Sequence, residues 1–336
     1  MTAILDTLFG TAFSAAAAIN GWGIFWIVFG SFVLQSVVFI VAASYIVFAI
    51  VLKRRDKTKW TRECSDPTDP NQLRMYNEGC AWAKANEARK TDHHIVNEGL
   101  NLYAEYYDLG FDRTVIMIAG RTEGLRYGYY FVKPYVESGF NVLTIDQRCH
   151  GLSDGKYNSL GFNEHRDLLA WCRYAHDELG AKSVYLHGIC IGSACAMYAI
   201  TSPDCPDYVV GMTGEGMFDQ FFKSFVQHAK EKNKKLRIVL ELSNLWFKHY
   251  NGHSMKEGPI DCIGRCRKPL LMLHSKKDFY SQPEFAQKLF DACPSDKKRL
   301  EWFENGAHSM LRITDTEHYD NTIKSFLKEY FDPDKT

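Results

Sequence analysis

Three residues of different chemistry stand along this chain in an order that suits covalent catalysis. Cys190 is the centre of Gly188-Ile189-Cys190-Ile191-Gly192, which closes the apolar run Val184-Tyr185-Leu186-His187 and leads at once into Ala194-Cys195-Ala196-Met197-Tyr198-Ala199. A β-branched run followed by small helix formers reads as a strand turning sharply into a helix. Glycines on both sides let strand and helix pass close together while the middle side chain projects, next to the free N–H groups of a helix N-terminus. Asp278 ends the turn Ser275-Lys276-Lys277-Asp278 after the apolar run Leu270 to His274, and His308 lies in Glu304-Asn305-Gly306-Ala307-His308-Ser309 after Leu300-Glu301-Trp302-Phe303. A thiol nucleophile, an imidazole base and a carboxylate to orient it are the parts that acyl transfer requires. Glu215, after the apolar run ending at Thr213, is an alternative orienting acid, with Asp278 in the cleaner strand–turn context.

Each of the three lies just beyond the carboxyl end of an expected strand, so a largely parallel sheet must hold them. Strands are expected at Thr114–Ile118, Asn141–Ile145, Ser183–His187, Tyr208–Thr213, Leu270–His274 and Arg299–Phe303. Helices are expected between them at Leu125–Glu137, Glu164–Glu178, Ile191–Thr201, Glu284–Ala292 and Asp315–Phe331. Alternation of this kind predicts helices on both faces of a mainly parallel sheet of about eight strands. His93 to Val96 and Leu100 to Tyr107, around Asn97-Glu98-Gly99, predict a hairpin at an antiparallel edge. The alternation pauses over an insert at about 217–262, where Met217 to Tyr250 reads as two helices forming a lid. Phe218, Phe221, Phe222 and Phe225 share one face there, and Phe222 and Trp246 are assigned to an acyl pocket.

Ahead of this domain, no charged side chain occurs from Thr7 to Leu52. Residues 24–52 are apolar and long enough for a transmembrane helix, preceded by a shorter apolar segment over 1–23 that could form a second membrane element. Residues 53–90 read as a basic and polar connector, and 91–336 as the globular domain. The basic flank Lys53-Arg54-Arg55-Asp56-Lys57-Thr58-Lys59 places that domain in the cytoplasm, with a single-pass anchor in the cell membrane. Lys+Arg and Asp+Glu both number 40, which gives no basic excess for nucleic acid. Ten cysteines without framework spacing fit reduced thiols in the cytosol. Cys262-x-x-x-Cys266 lacks a second ligand pair, so no metal is expected, and no cofactor motif is present.

From about Thr91 to Phe331 the chain resembles an α/β-hydrolase of the membrane-anchored bacterial kind. Asp146-Gln147-Arg148-Cys149-His150-Gly151-Leu152-Ser153 resembles that family's Asp-x-Arg-Gly-His-Gly-x-Ser segment, with Cys149 where a small Gly or Asn is usual. Ala119-Gly120-Arg121 occupies the place of the family's His-Gly turn, and the resemblance implies an oxyanion hole from the N–H groups of Ile191 and Arg121. The Arg121 side chain could itself hold a substrate carboxylate or phosphate. A Cys in the strand–helix turn resembles dienelactone hydrolase of the same superfamily, and implies a thioester acyl-enzyme on a small-molecule or lipid ester, thioester or lactone. The rival expectation is a membrane-tethered binding or scaffolding domain that keeps the fold without efficient catalysis. Amide cleavage ranks lower, because it asks more of leaving-group protonation. Substrate identity and oligomeric state stay open.

The charge bias generates a direct expectation. A reporter fused after Thr336 should be active only if it needs the cytosol, and export of that reporter would overturn the orientation.

Overall fold

The computed structural model describes residues 21–54, 56–231 and 237–331. The apolar segment ahead of Gly21 and the centre of the lysine-rich run after Lys230 lie outside the described residues.

Eight strands form one sheet in the order β1-β2-β4-β3-β5-β6-β7-β8. They are β1 (Lys90–Asn97), β2 (Leu100–Tyr107), β3 (Arg113–Ile118), β4 (Asn141–Asp146), β5 (Ser183–Ile189), β6 (Val209–Glu215), β7 (Leu270–Ser275) and β8 (Lys298–Phe303). The pairs β1–β2 and β2–β4 are antiparallel, and every pair from β4–β3 through β7–β8 is parallel. The expected hairpin is therefore the antiparallel edge. Strand order reverses at β3, with β4 on one side of it and β5 on the other. The loops after β3 and β5 consequently flank a crevice at the carboxyl ends of the strands.

One face of the sheet is covered by α4 (Glu164–Asp177), α5 (Ile191–Ile200) and α8 (Pro283–Ala292), and the other by α2 (Pro70–Ala85), α3 (Lys133–Val136) and α10 (Thr316–Phe331). Between β3 and β4 the expected long helix is replaced by a 3₁₀ segment, Leu125–Phe131, and the short α3. Tyr127, Tyr129, Tyr130 and Phe131 are all buried there, and a Cβ on Gly128 would lie 3.1 Å from the Met117 Cβ. Gly128, held against Met117 where a Cβ would crowd it, weakens a regular helix there, and Pro134 withholds an N–H from continuing one.

α1 (Gly21–Leu52) is 32 residues long, about 48 Å at the usual rise per residue, enough to cross a bilayer's hydrocarbon core. Its most apolar window is unburied, whereas Ser44, Phe48 and Leu52 near its end are buried. They pack against the insert, which forms α6 (Phe221–Glu231) and α7 (Arg237–Asn251). The connector after α1 is tied into the domain rather than loose. Arg54 donates to the carbonyls of Gly151 and Ser153, Trp60 stacks on His150, and Arg62 pairs with Glu105.

The last short helix, α9 (Leu311–Thr314), starts three residues after His308 and is fastened by a buried ion pair. Arg312 Nε and Nη2 donate to the two Asp320 oxygens at 2.6 and 2.7 Å, while Nη1 donates to the Tyr130 carbonyl at 2.6 Å. Burial alone would lower the Arg312 pKa, but Asp320 outweighs it and holds the charge. Asp320→Ala would strand a buried guanidinium and should cost about 3–5 kcal/mol in denaturant unfolding. Arg312→Met with Asp320→Leu should recover most of that loss, and an undiminished loss would refute the stranded-charge account.

Candidate active site

Cys190 occupies the junction of β5 and α5 with φ 55° and ψ −112°, a conformation that costs a non-glycine residue on the order of 1–3 kcal/mol. A Cβ on Gly188 would overlap the Gly192 backbone, and one on Gly192 would overlap the Ile118 carbonyl. Only glycine permits this crossing. The turn is stitched to β6: Cys190 N–H donates to the Glu215 carbonyl at 2.9 Å, and Ser193 Oγ reaches the Gly188 and Glu215 carbonyls at 2.6 and 2.9 Å.

His308 and Cys190 line one cavity of about 430 Å³. Asp278 stands behind His308, accepting from Nδ1 at 2.7 Å. Its other oxygen accepts from the N–H groups of Tyr280 and Ser281 at 2.9 and 2.8 Å. Burial alone would raise the Asp278 carboxyl, yet the His308 charge and hydrogen bond hold it below the usual carboxylate range. For His308 itself, burial would lower the imidazole pKa. The neighbouring Cys190 and the Asp278 carboxylate, which is hydrogen-bonded to the ring, outweigh that and raise it well above 6.5.

Glu215, the alternative acid, is engaged elsewhere. It accepts from Tyr319 Oη at 2.7 Å and from Leu311 N–H at 3.3 Å, and burial pushes its carboxyl up to about 7. No hydrogen bond joins it to His308 among the described residues. Its position behind the loop that carries His308 makes it a support for that loop.

The turn after β3 comes close to the sulfur's side chain, with a Cβ on Gly120 lying 3.7 Å from the Cys190 Cβ. Arg121 and Ile191 therefore flank Cys190 from two elements, and neither N–H has an acceptor among the described residues. The Arg121 carbonyl takes a 2.7 Å hydrogen bond from His150 Nε2. His150 belongs to the Asp146–Ser153 segment, whose other members hold the loop together. Asp146 accepts from the N–H groups of Leu125 and Leu152, and Arg148 forms a buried pair with Asp167. Cys149 has φ 70°, which explains why a Gly or Asn would suit that position.

The two pocket residues assigned in the insert need correction. Phe222 packs inside the lid with the Lys256 ammonium 5.0 Å above its ring, and Trp246 donates from Nε1 to Ser44 Oγ at 3.0 Å. Neither lines the cavity. The lid residues that do are Phe218, Phe221, Ser224, Phe225 and His228, and the end of α1 adds Val51. The phenylalanine spacing identified the right face of α6 but not which rings on it open to the cavity. Nothing in the sequence signalled Val51, because its role depends on where the end of α1 docks. His187, His93 and Cys262 serve packing. His187 is fully buried against Tyr135 Oη, and burial pushes its imidazole down to about 3. Among the described residues no cluster of three His, Cys, Asp or Glu could hold a metal.

Residues 113–225 match the family model described as the alpha/beta hydrolase fold. The Bacillus subtilis (strain 168) protein YqkD is 27% identical over 222 residues, which cover 64% of this chain and 70% of that relative. Among solved structures, the Pyrococcus furiosus esterase Pf2001 superposes with a TM-score of 0.61 at 20% identity, covering 74% of this chain and 95% of the esterase. Mouse alpha/beta hydrolase domain-containing protein 10 gives 0.54 at 17% identity, covering 71% and 99%. The sheet order, the strained turn at Cys190 and these likenesses agree: the chain has the α/β-hydrolase fold, preceded by a long apolar helix.

Proposed function

We propose that this chain is a membrane-anchored acyl hydrolase or acyltransferase in which Cys190 is the nucleophile, His308 the proton carrier and Asp278 the group that orients it. The observation that carries this reading is the line from Asp278 to His308 Nδ1 at 2.7 Å, with His308 and Cys190 facing one cavity. The ester, thioester or lactone carbonyl carbon is attacked by the Cys190 sulfur, forming a C–S bond. The resulting oxyanion sits against the N–H groups of Ile191 and Arg121, the first of which also carries the positive end of α5. As the C–O bond of an ester or lactone, or the C–S bond of a thioester, breaks, the proton on His308 passes to the departing alkoxide or thiolate. In the second half, neutral His308 takes a proton from water, hydroxide attacks the thioester carbon, and the sulfur leaves. α1 is the anchor, with the catalytic domain on the side of Lys53 and Lys59, in the cytoplasm.

Reactivity of the sulfur tests the nucleophile. Six of the ten cysteines are buried, including Cys293, whose thiol Cys266 holds down to about 6 but which is only 2% exposed. Cys190 should therefore be alkylated by iodoacetamide fastest of the ten. His308→Ala should slow that step on the order of 10²-fold, and Asp278→Asn less. Cys190→Ser should abolish turnover of small esters, since a hydroxyl depends wholly on the base. Gain of esterase activity on that change, with sluggish alkylation of native Cys190, would favour the binding-domain reading.

The pH dependence of thioester hydrolysis tests Asp278. In the acyl-enzyme the sulfur is neutral, and only Asp278 still favours the proton on His308. Neutral His308 is needed to activate water, so hydrolysis should climb as pH rises through the imidazole pKa of the acyl-enzyme, which Asp278 raises against burial. Asp278→Asn removes a negative charge, lowers that pKa, and should move the climb to lower pH with a reduced plateau. Stopped-flow decay of the acyl-enzyme reads this directly, and an unmoved profile would rule Asp278 out as the orienting acid.

A further inference from the structure

α1 does more than precede the domain, because its last turn is part of the cavity that holds Cys190 and His308. Val51, two residues before Lys53, lines that cavity beside Phe218, Phe221 and Phe225 of the lid. The helix end is fixed there by several contacts. Ser243 Oγ donates to the Ser44 carbonyl at 2.9 Å and Trp246 Nε1 to Ser44 Oγ at 3.0 Å, while Phe48 stacks on Tyr250 with ring centres 5.4 Å apart. Arg121, whose N–H flanks Cys190, extends its guanidinium to the Val51 carbonyl at 3.1 Å. A cation at the last carbonyls of a helix is favourably placed.

The basic residues mark the level of the bilayer surface. Val51 is about 3 Å along the helix axis from Lys53, at the usual rise per residue. The cavity wall it forms therefore sits at the interface between headgroups and hydrocarbon. On the far side of Val51, α1 exposes apolar side chains continuously, among them Phe39, Ile46 and Ile50. The cavity is lined by lid phenylalanines and by Val51 of α1, yet it also holds polar side chains. Ser224 Oγ is buried, with the residue 8% exposed, and has no hydrogen-bond partner among the described residues. The Arg121 guanidinium, held by the Val51 carbonyl, shares the cavity with the Glu123 carboxylate two residues on, and each favours the other's charge.

We infer that the substrate class is a long-chain acyl amphiphile resident in the bilayer, whose chain lies between Val51 and the lid phenylalanines while its polar head meets Ser224 and Arg121. This rests on the reading of the chain as a membrane-anchored acyl enzyme, and it makes the end of α1 a specificity element rather than a tether.

The test uses the full chain in phospholipid nanodiscs. A non-hydrolysable hexadecyl glycerol ether should slow iodoacetamide alkylation of Cys190 by about tenfold or more, and a butyl glycerol ether should not. Val51→Trp fills the wall and should abolish that protection. It should also lower the ratio of hexadecanoyl to butanoyl ester turnover about tenfold, the effect of a few methylenes losing their contacts. Ile50→Trp, on the exposed side, should leave protection and ratio as in the native chain. Protection by the long ether without turnover of any ester would sustain this inference and refute the catalytic reading. Turnover of butanoyl esters through Cys190, with equal protection by both ethers or an unchanged ratio in Val51→Trp, would overturn this inference and leave the catalytic reading standing.

Discussion

The close crossing of β5 and α5 is the constraint on which the site depends. With Gly188 and Gly192 lacking side chains, two backbones touch where any Cβ would collide with a carbonyl or a neighbouring peptide. That contact forces Cys190 into a conformation it would not adopt alone, and bonds to the Glu215 carbonyl hold it there. Strain of about 1–3 kcal/mol is tolerable in a domain with two buried core faces, and it fixes the sulfur at the head of a helix. The helix is apolar on every side and almost wholly buried, so it cannot slide or fray to release the strain.

Around that turn, electrostatics is arranged in layers. Asp278, His308 and the sulfur form the front layer, with burial opposed by mutual charge. Behind it, Glu215 with Tyr319 supports the loop that carries His308, and the Arg312–Asp320 pair clamps the helix that follows. On the other side, His150 holds the carbonyl of Arg121 and so anchors the turn that follows β3. The segment from Asp146 to Ser153 thus acts on the site without touching the sulfur. A residue with a family-like signature can be structural and still decide geometry.

The end of α1 adds a third relation. A helix apolar enough for lipid over most of its length is packed, in its last two turns, against the lid and the loop after β3. Polar contacts at Ser44 and stacked rings at Phe48 make this a specific docking rather than a chance approach. Lid, α1 and the loop after β3 therefore pack as one assembly.

The sequence by itself determined the strand–helix alternation, the antiparallel edge, the sharp turn at Cys190 and the order of Cys190, Asp278 and His308. Those features are local: periodicity of apolar residues, glycines where backbones must touch, and loops at strand ends. Only the tertiary structure separates Asp278 from Glu215, because both follow strands but Asp278 accepts from the imidazole and Glu215 from Tyr319. The expected helix after β3 is replaced by a 3₁₀ segment where Gly128 is held against Met117, a tertiary contact that outweighs local propensity. The pocket residues were likewise settled in three dimensions. Spacing in the lid groups four phenylalanines on one face, but Phe222 and Trp246 turn towards Lys256 and α1, while Val51 enters from a helix far away in sequence. Side chains on one amphipathic face are equivalent in sequence and become different only when neighbours close over some of them.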